Sequence, residues 1–244
     1  RSTTLSGRDK VCVDNVHPNL ILDWWALKET GEACFEQGAR RHLDLTERDF
    51  VLDDGSTIEF ADYDPETGRQ LRHYTLLGAH DDSCWSRGQA WAIAGYLRAY
   101  EALGEPRYLA IGKRLLDYWT AHSPADGVPP WDFKDPALAG VDWTADRPLA
   151  GYEQPLDTSA AAIVVEQLAR LALVASGASR AMAPVLARLE PMLDGLVARV
   201  DDQGRLLEGC FNQPRRYANR SELIWGSAYL LFSLYALRMG RVVE

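Results

Sequence analysis

No apolar run in this sequence approaches the roughly 20 residues that a membrane span requires. The first ten residues, RSTTLSGRDK, hold no hydrophobic segment that would make a signal peptide. Cysteine is scarce. Cys12, Cys34, Cys84 and Cys210 are scattered, without C-x-x-C spacing or the density of a disulfide scaffold, so reduced and mostly buried thiols in a cytoplasm are expected. Positive charge is also in deficit, at 26 Lys and Arg against 35 Asp and Glu, a formal charge of −9. With no Lys/Arg stripe, a nucleic-acid partner is excluded as the leading reading. An acidic small molecule would need a local cationic pocket strong enough to outweigh the overall field.

What the chain has is enough apolar residue, 47% of 244, to bury a sizeable core. The apolar positions carry helical rhythm. Ile93, Tyr96, Leu97, Tyr100 and Leu103 share one face, as do Tyr108, Ile111, Leu115, Tyr118 and His122. Three helical patterns end at Gly31, Gly104 and Gly177, 73 residues apart, and each is followed by a second helical stretch. The repeat unit is therefore a helix, a glycine turn and a returning helix. This predicts about seven helices, near residues 19–29, 33–46, 84–103, 106–122, 159–176, 180–199 and 221–239. Strands are few, with a hairpin around Asp54-Gly55 and a second turn from Pro65 to Gly68. No linker splits the chain, so residues 1–244 read as one domain, and the proline-rich stretch after residue 126 reads as a long ordered loop.

If the hairpins wrap around an axis, the starts of their first helices converge on a funnel. Those starts are polar or aromatic, at Asp14-Asn15, at Asp81 to Arg87 and at Asp157 to Ser159. An N-cap accounts for one such residue, and Asp157 fits that role. It does not account for HDDSCWSRGQAW, residues 80–91, with its two acids, arginine, glutamine and two tryptophans.

DDSCWSRGQAWAIAGY, with DYDPETG before it and DGVPPWDF and DTSAAA after it, resembles the unsaturated glucuronyl hydrolases of glycoside hydrolase family 88. The resemblance runs from about Val11 to the C-terminus and implies an all-α fold, an (α/α) toroid of six helical hairpins, here incomplete, with a small β-hairpin insertion. It also implies removal of a Δ4,5-unsaturated uronic acid from the non-reducing end of lyase-generated oligosaccharides. In that chemistry an aspartic acid protonates C4 of the C4=C5 enol ether and water adds at C5, with no cofactor and no metal. One carboxyl serves as acid and then base if a half-apolar site raises its pKa. The family's aspartate, in an I-D-N/C stretch before a helix, falls on Asp14 of CVDNVHPNL, with Asn15 beside it. Trp85 and Trp91 would wall the sugar ring, Trp91 serving equally well as core. Arg87 would orient the sugar or pair with its carboxylate, and Gln89 completes the motif. Trp131 and Asp132 fit either the funnel rim or a loop anchor.

Several positions depart from the family. Its histidine in D-G-S-T-Y-H is Glu59 here and the glutamine of its H-Q-G turn is Leu77, both at substrate-lining positions. A carboxylate there would repel a uronate, and leucine removes a hydrogen-bonding group. Asp23 stands where the family is aromatic, and Ser227 where it carries an aspartate. Family members are longer at the N-terminus, so the chain reads as the C-terminal two thirds of the fold, and its open arc predicts a homo-oligomer or a missing N-terminal segment. The alternatives are an unsaturated rhamnogalacturonyl hydrolase, a non-catalytic carbohydrate-binding or scaffold relative, and a sugar epimerase. The last is disfavoured because His17, His42, His73, His80 and His122 form no cluster.

Overall fold

The computed structural model describes residues 2–3, 9–174 and 179–242. Strands β1 (Ser2–Thr3) and β2 (Asp9–Cys12) lead into a 3-10 turn (Val13–Val16), then helices α1 (Leu20–Thr30) and α2 (Ala33–Phe50). Strands β3 (Phe60–Tyr63) and β4 (Gln70–Tyr74) precede α3 (Ser86–Leu103) and α4 (Pro106–Ala121). After a long loop come α5 (Thr158–Val174), α6 (Ser179–Leu186), α7 (Leu189–Val197) and α8 (Ile224–Met239).

The helices form two layers because their sequences bury different fractions of their surface. Every residue of α3 from Ser86 to Leu97 is buried, as is every residue of α5 from Thr158 to Leu171. A helix buried all round belongs to the interior. In α2, by contrast, Ala39, Leu43, Thr46 and Phe50 are buried along one stripe, so it lies outside. The inner row runs α1, α3, α5, α8, with α2 against α1, α4 against α3, and α6 and α7 against α5. This is the expected arc of hairpins. Gly31 and Gly104 end α1 and α3 in the left-handed conformation, at φ 69° and 70°, and their N–H groups donate to Leu27 O and Tyr100 O. Gly177, the third glycine of the repeat, lies outside the described residues.

Two elements differ from expectation. The single helix predicted over 180–199 is two, α6 and α7. Pro191, in the first turn of α7, has no N–H for the carbonyl of Ala187 and its ring crowds that carbonyl, so a continuous helix is blocked there. The strand content is a four-stranded antiparallel sheet, in order β1-β2-β3-β4. Residues 9–12 were too short a run to reveal β2. The Asp54-Gly55 turn forms as predicted, with an antiparallel bridge between Val51 and Thr57, and the Asp54 carboxylate accepts from Ser56 N at 2.8 Å. Among the described residues no helix is long and apolar enough to cross a membrane.

The 122–157 loop is anchored rather than free. Trp131 Nε1 and Tyr152 Oη both donate to Asp135 Oδ2 at 2.8 Å. The Trp131 carbonyl accepts from Ser86 N and Oγ, which ties the loop to the start of α3. Asp132 is fully buried and accepts from Ser83 Oγ at 2.7 Å and Ala79 N at 3.0 Å. Trp131 and Asp132 therefore act as loop anchors.

Candidate active site

Two glycines bring the Asp14 turn onto α3. A Cβ on Gly88 would sit 3.0 Å from both the Trp85 ring and Val13 Cγ1, and one on Gly95 would sit 2.7 Å from Val16 O. Side chains at either position would hold the turn off the helix. Instead Val13 and Val16 are buried against it, and the intervening Asp14 is carried to the N-terminal ends of the inner helices. From the other side, Val13 N donates to Glu59 O at 2.9 Å, extending the β2–β3 pairing by one step past Cys12 and Phe60.

The Asp14 carboxyl is half-buried, and its Oδ1 is sealed from solvent with no hydrogen-bond partner. Burial is the main reason its pKa is pushed up to about 6; the negative charge of Glu59 adds to this, while Arg87 and a hydrogen bond from the Cys12 thiol oppose it. Burial and the two carboxylates in turn push the Cys12 thiol far above its usual range. Asn15 Oδ1 accepts from Cys12 N at 3.3 Å. Its side chain lines a groove of about 920 Å³ with Lys10, Asp23, Arg41 and His42, on the α2 side of the turn.

Glu59 is 4% exposed. One carboxylate oxygen, Oε2, accepts from Leu76 N at 2.8 Å, from Leu77 N at 2.9 Å and from the Thr75 hydroxyl. The other, Oε1, is buried and unpartnered. Burial raises its pKa, and the bonds from residues 75–78 pull it back. Glu59 and Leu77, two of the departures from the family pattern, are thus joined to each other.

Arg87 is 2% exposed and its charge is matched within the protein. Its Nη1 donates to Asp157 Oδ2 and to Cys210 O, both at 2.6 Å, and Nη2 donates to Phe211 O at 3.0 Å. The guanidinium lies 4.5 Å from the Trp85 ring centre and 5.4 Å from that of Trp225. Asp157 is the expected cap of α5, its Oδ1 accepting from Ser159 N at 3.1 Å, and is also the partner of Arg87. Arg87 thus ties α3, α5 and the 208–211 segment together. It acts on Asp14 as a fixed field.

The rest of the W-x-R-G-Q-A-W motif packs inward. Gln89 Nε2 donates to Gly55 O at 2.8 Å and Leu115 O at 3.0 Å, so its amide holds the Asp54-Gly55 turn against α4. Trp91 stacks on His17 with ring centres 5.6 Å apart and meets Tyr229 edge-on at 5.7 Å. His17 Nε2 is 3.1 Å from Tyr229 Oη, and burial lowers the imidazole pKa to about 3, so the ring is neutral. Trp85 is 4% exposed beneath the guanidinium. Sequence reasoning did not find Cys12, Phe211 or Trp225. An aromatic residue in LIWGSAY was visible there, but nothing local tied it to Arg87. Among the described residues no cluster of three or more His, Cys, Asp or Glu is placed to hold a metal ion.

The arrangement brings a half-buried carboxylic acid, a buried carboxylate and a matched cation to the mouth of a helical arc. Known proteins resemble this chain in sequence and fold. The unsaturated glucuronyl hydrolase of Bacillus sp. strain GL1 is 29% identical over 228 residues, 91% of this chain and 57% of the relative. Its crystal structure superposes with a TM-score of 0.80, covering 95% of this chain and 59% of that one at 28% identity. This chain is a relative of the unsaturated glucuronyl hydrolases. The Formosa agariphila enzyme of that name is 34% identical over 163 residues, 66% of this chain and 37% of the relative. The unsaturated chondroitin disaccharide hydrolase of Streptococcus pyogenes is 34% identical over 149 residues, 60% and 34% of the two chains. The chain thus spans 57% of the Bacillus relative and just over a third of the other two. No family model matches it.

Proposed function

We propose that this chain carries the acid of a glycoside hydrolase that removes a Δ4,5-unsaturated uronic acid from the non-reducing end of lyase-generated oligosaccharides. The reading rests on one observation above the others, the half-buried, sparsely hydrogen-bonded carboxyl of Asp14 with its pKa pushed up to about 6. A carboxyl with that proton affinity serves as acid and then as base near neutral pH. Protonated Asp14 gives its proton to C4, and the C4=C5 electron pair forms the new C–H bond. Positive charge then develops at C5 and is shared by the ring oxygen. Water adds at C5 while the Asp14 carboxylate takes its proton, which restores the acid. The resulting hemiketal opens to a C5 ketone, and the hemiacetal freed at C1 expels the aglycone alcohol.

Within this reading Trp85, Trp91 and Gln89 shape the wall behind the sugar, and Arg87 sets the local field. Leu77, half-buried on the 75–78 loop, and Asn15 stand closer to the surface. The glucuronyl and rhamnogalacturonyl activities differ in the aglycone attached to the same unsaturated sugar, and a comparison of substrates separates them. All four thiols are unpaired, which suits a reducing cytoplasm. Leu22, Trp25, Ile224 and Leu231 are exposed on the outermost inner helices, α1 and α8, which suits a further segment or a second copy at those edges.

The test is the loss of enol-ether ultraviolet absorbance when the protein meets unsaturated glucuronyl and rhamnogalacturonyl disaccharides, with Asp14→Asn as control. Loss with one substrate class, abolished in the variant, is expected. Loss undiminished in a folded Asp14→Asn protein removes Asp14 as the acid. No loss from cooperatively folded protein favours a carbohydrate-binding relative without catalysis.

A further inference from the structure

Glu59 has a chemical consequence beyond replacing a pocket-lining group. The backbone bond from Val13 N to Glu59 O places residues 13 and 59 opposite one another at the end of the β2–β3 ladder, so Asp14 follows the residue that faces Glu59. Each carboxyl has one oxygen buried without a partner, Oδ1 of Asp14 and Oε1 of Glu59. Ionising both would leave a buried, unpartnered negative oxygen on each of two neighbouring carboxyls. A single proton held by the pair removes that conflict.

The hydrogen bonds decide which residue carries the proton. Glu59 Oε2 accepts two backbone N–H groups and a hydroxyl from residues 75–77, donors that favour the ionised form. Asp14 receives much less, chiefly the weak donation of the Cys12 thiol. The groups facing Asp14 are the Cys12 thiol from β2, Glu59 from the segment before β3 and Arg87 from α3. Arg87 is already committed to Asp157 at 2.6 Å. Arg87 still lowers the proton affinity of Asp14, and of the two charged neighbours Glu59 is the one that raises it.

We propose that Glu59 is a positioning residue for the reaction proposed above: a carboxylate anchored on the 75–78 loop that keeps the exchangeable proton on Asp14 until the substrate takes it. The proposal depends on Asp14 being the acid. It turns the replacement of a histidine by Glu59 from a defect in substrate binding into a different way of holding the acid protonated.

Glu59→Gln tests this, because glutamine keeps an oxygen for the loop donors and removes the charge. The readouts are the Asp14 carboxyl titration followed by carbon-13 NMR and the pH profile of enol-ether absorbance loss. Expected are a fall of the Asp14 midpoint by on the order of one pH unit and an equal downward move of the basic limb. The rate at pH 7 then drops several-fold, while the rate at pH 4 stays near that of the parent. A purely structural loop anchor would lower the rate at every pH without moving the midpoint, and that result overturns the proposal. If Glu59→Gln does not fold, Glu59→His, which restores the family's residue, supplies the same measurement with the same direction expected. A midpoint that moves while neither protein consumes substrate keeps the carboxyl pair and overturns the hydrolase reading instead.

Discussion

The two charged corners at the mouth of the arc are built on opposite principles. At the Arg87 corner the charge is matched: a cation against Asp157, two carbonyls accepting further N–H groups and aromatic rings beside it. At the Asp14 corner the demands conflict: Asp14 and Glu59 each keep a buried oxygen without a partner, and the negative charge of Glu59 raises the proton affinity of Asp14. A matched buried charge fixes geometry and resists change. An unmatched one holds a proton that it can release, which is what acid catalysis needs. The stronger sequence motif thus marks the frame, and the weaker one, an Asp-Asn pair before a helix, marks the chemistry proposed above.

The comparison breaks most visibly at Arg87. Arg87→Met strands the Asp157 carboxylate and leaves Cys210 O and Phe211 O without their donor. Removing one partner of such a buried pair costs about 3–5 kcal/mol, which urea unfolding at pH 7 would register as a large fall in midpoint. A cost under about 1 kcal/mol would mean that the pair is solvated and that the frame lies elsewhere.

Asp14→Asn acts in the opposite direction, and only at one end of the pH scale. Asp14 has a folded-state pKa of about 6 against 3.8 for the model carboxyl. Between those values the folded state binds more protons than the unfolded state. Stability from this group is therefore complete below about pH 4 and declines as pH rises through 6. Replacing it with neutral Asn should stabilise the protein by about 2–3 kcal/mol at pH 8 and by almost nothing at pH 3, while abolishing substrate turnover. His17, with its pKa lowered to about 3, makes the parent less stable as pH falls below 6.5. The quantity to follow is accordingly the difference between variant and parent at each pH.

A third substitution addresses the support that joins the two corners. Gly95→Ala places a Cβ 2.7 Å from Val16 O, so the turn carrying Asp14 must lift from α3. An overpacking cost of about 1–3 kcal/mol is expected, with a larger proportional loss of turnover than of stability. Equal stability and unchanged turnover would show that the turn has slack.

How much of this was legible follows from the range over which each feature is determined. The glycine stops at Gly31 and Gly104 and the Asp54-Gly55 turn are local, and all three formed as read. The α6–α7 break is equally local, but the apolar periodicity of residues 180–199 continues across Pro191 and masks the missing N–H. Asp14 and Glu59 were singled out, yet the conflict between them was hidden because they are 45 positions apart and meet only through the sheet. The pairing of Arg87 with Asp157, 70 positions apart, was hidden for the same reason. Residue type named the polar groups, and only tertiary structure disclosed which had partners.

The mildest prediction concerns a polar contact just behind the site, where His17, Trp91 and Tyr229 form an aromatic cluster. His17 is 2% exposed, and its Nδ1 has no partner, so Tyr229 Oη at 3.1 Å is what satisfies the ring through Nε2. Tyr229→Phe keeps the edge-on packing against Trp91 and strands that nitrogen, for an expected loss of about 1 kcal/mol at pH 7. His17→Phe removes the stranded atoms and retains a flat ring for Trp91 to stack on. If the hydrogen bond matters only because its absence leaves a buried nitrogen unpaired, adding Tyr229→Phe to His17→Phe should cost less than Tyr229→Phe alone. A double-mutant cycle with additive losses would instead assign the stabilisation to ring packing and place this cluster with the matched frame around Arg87.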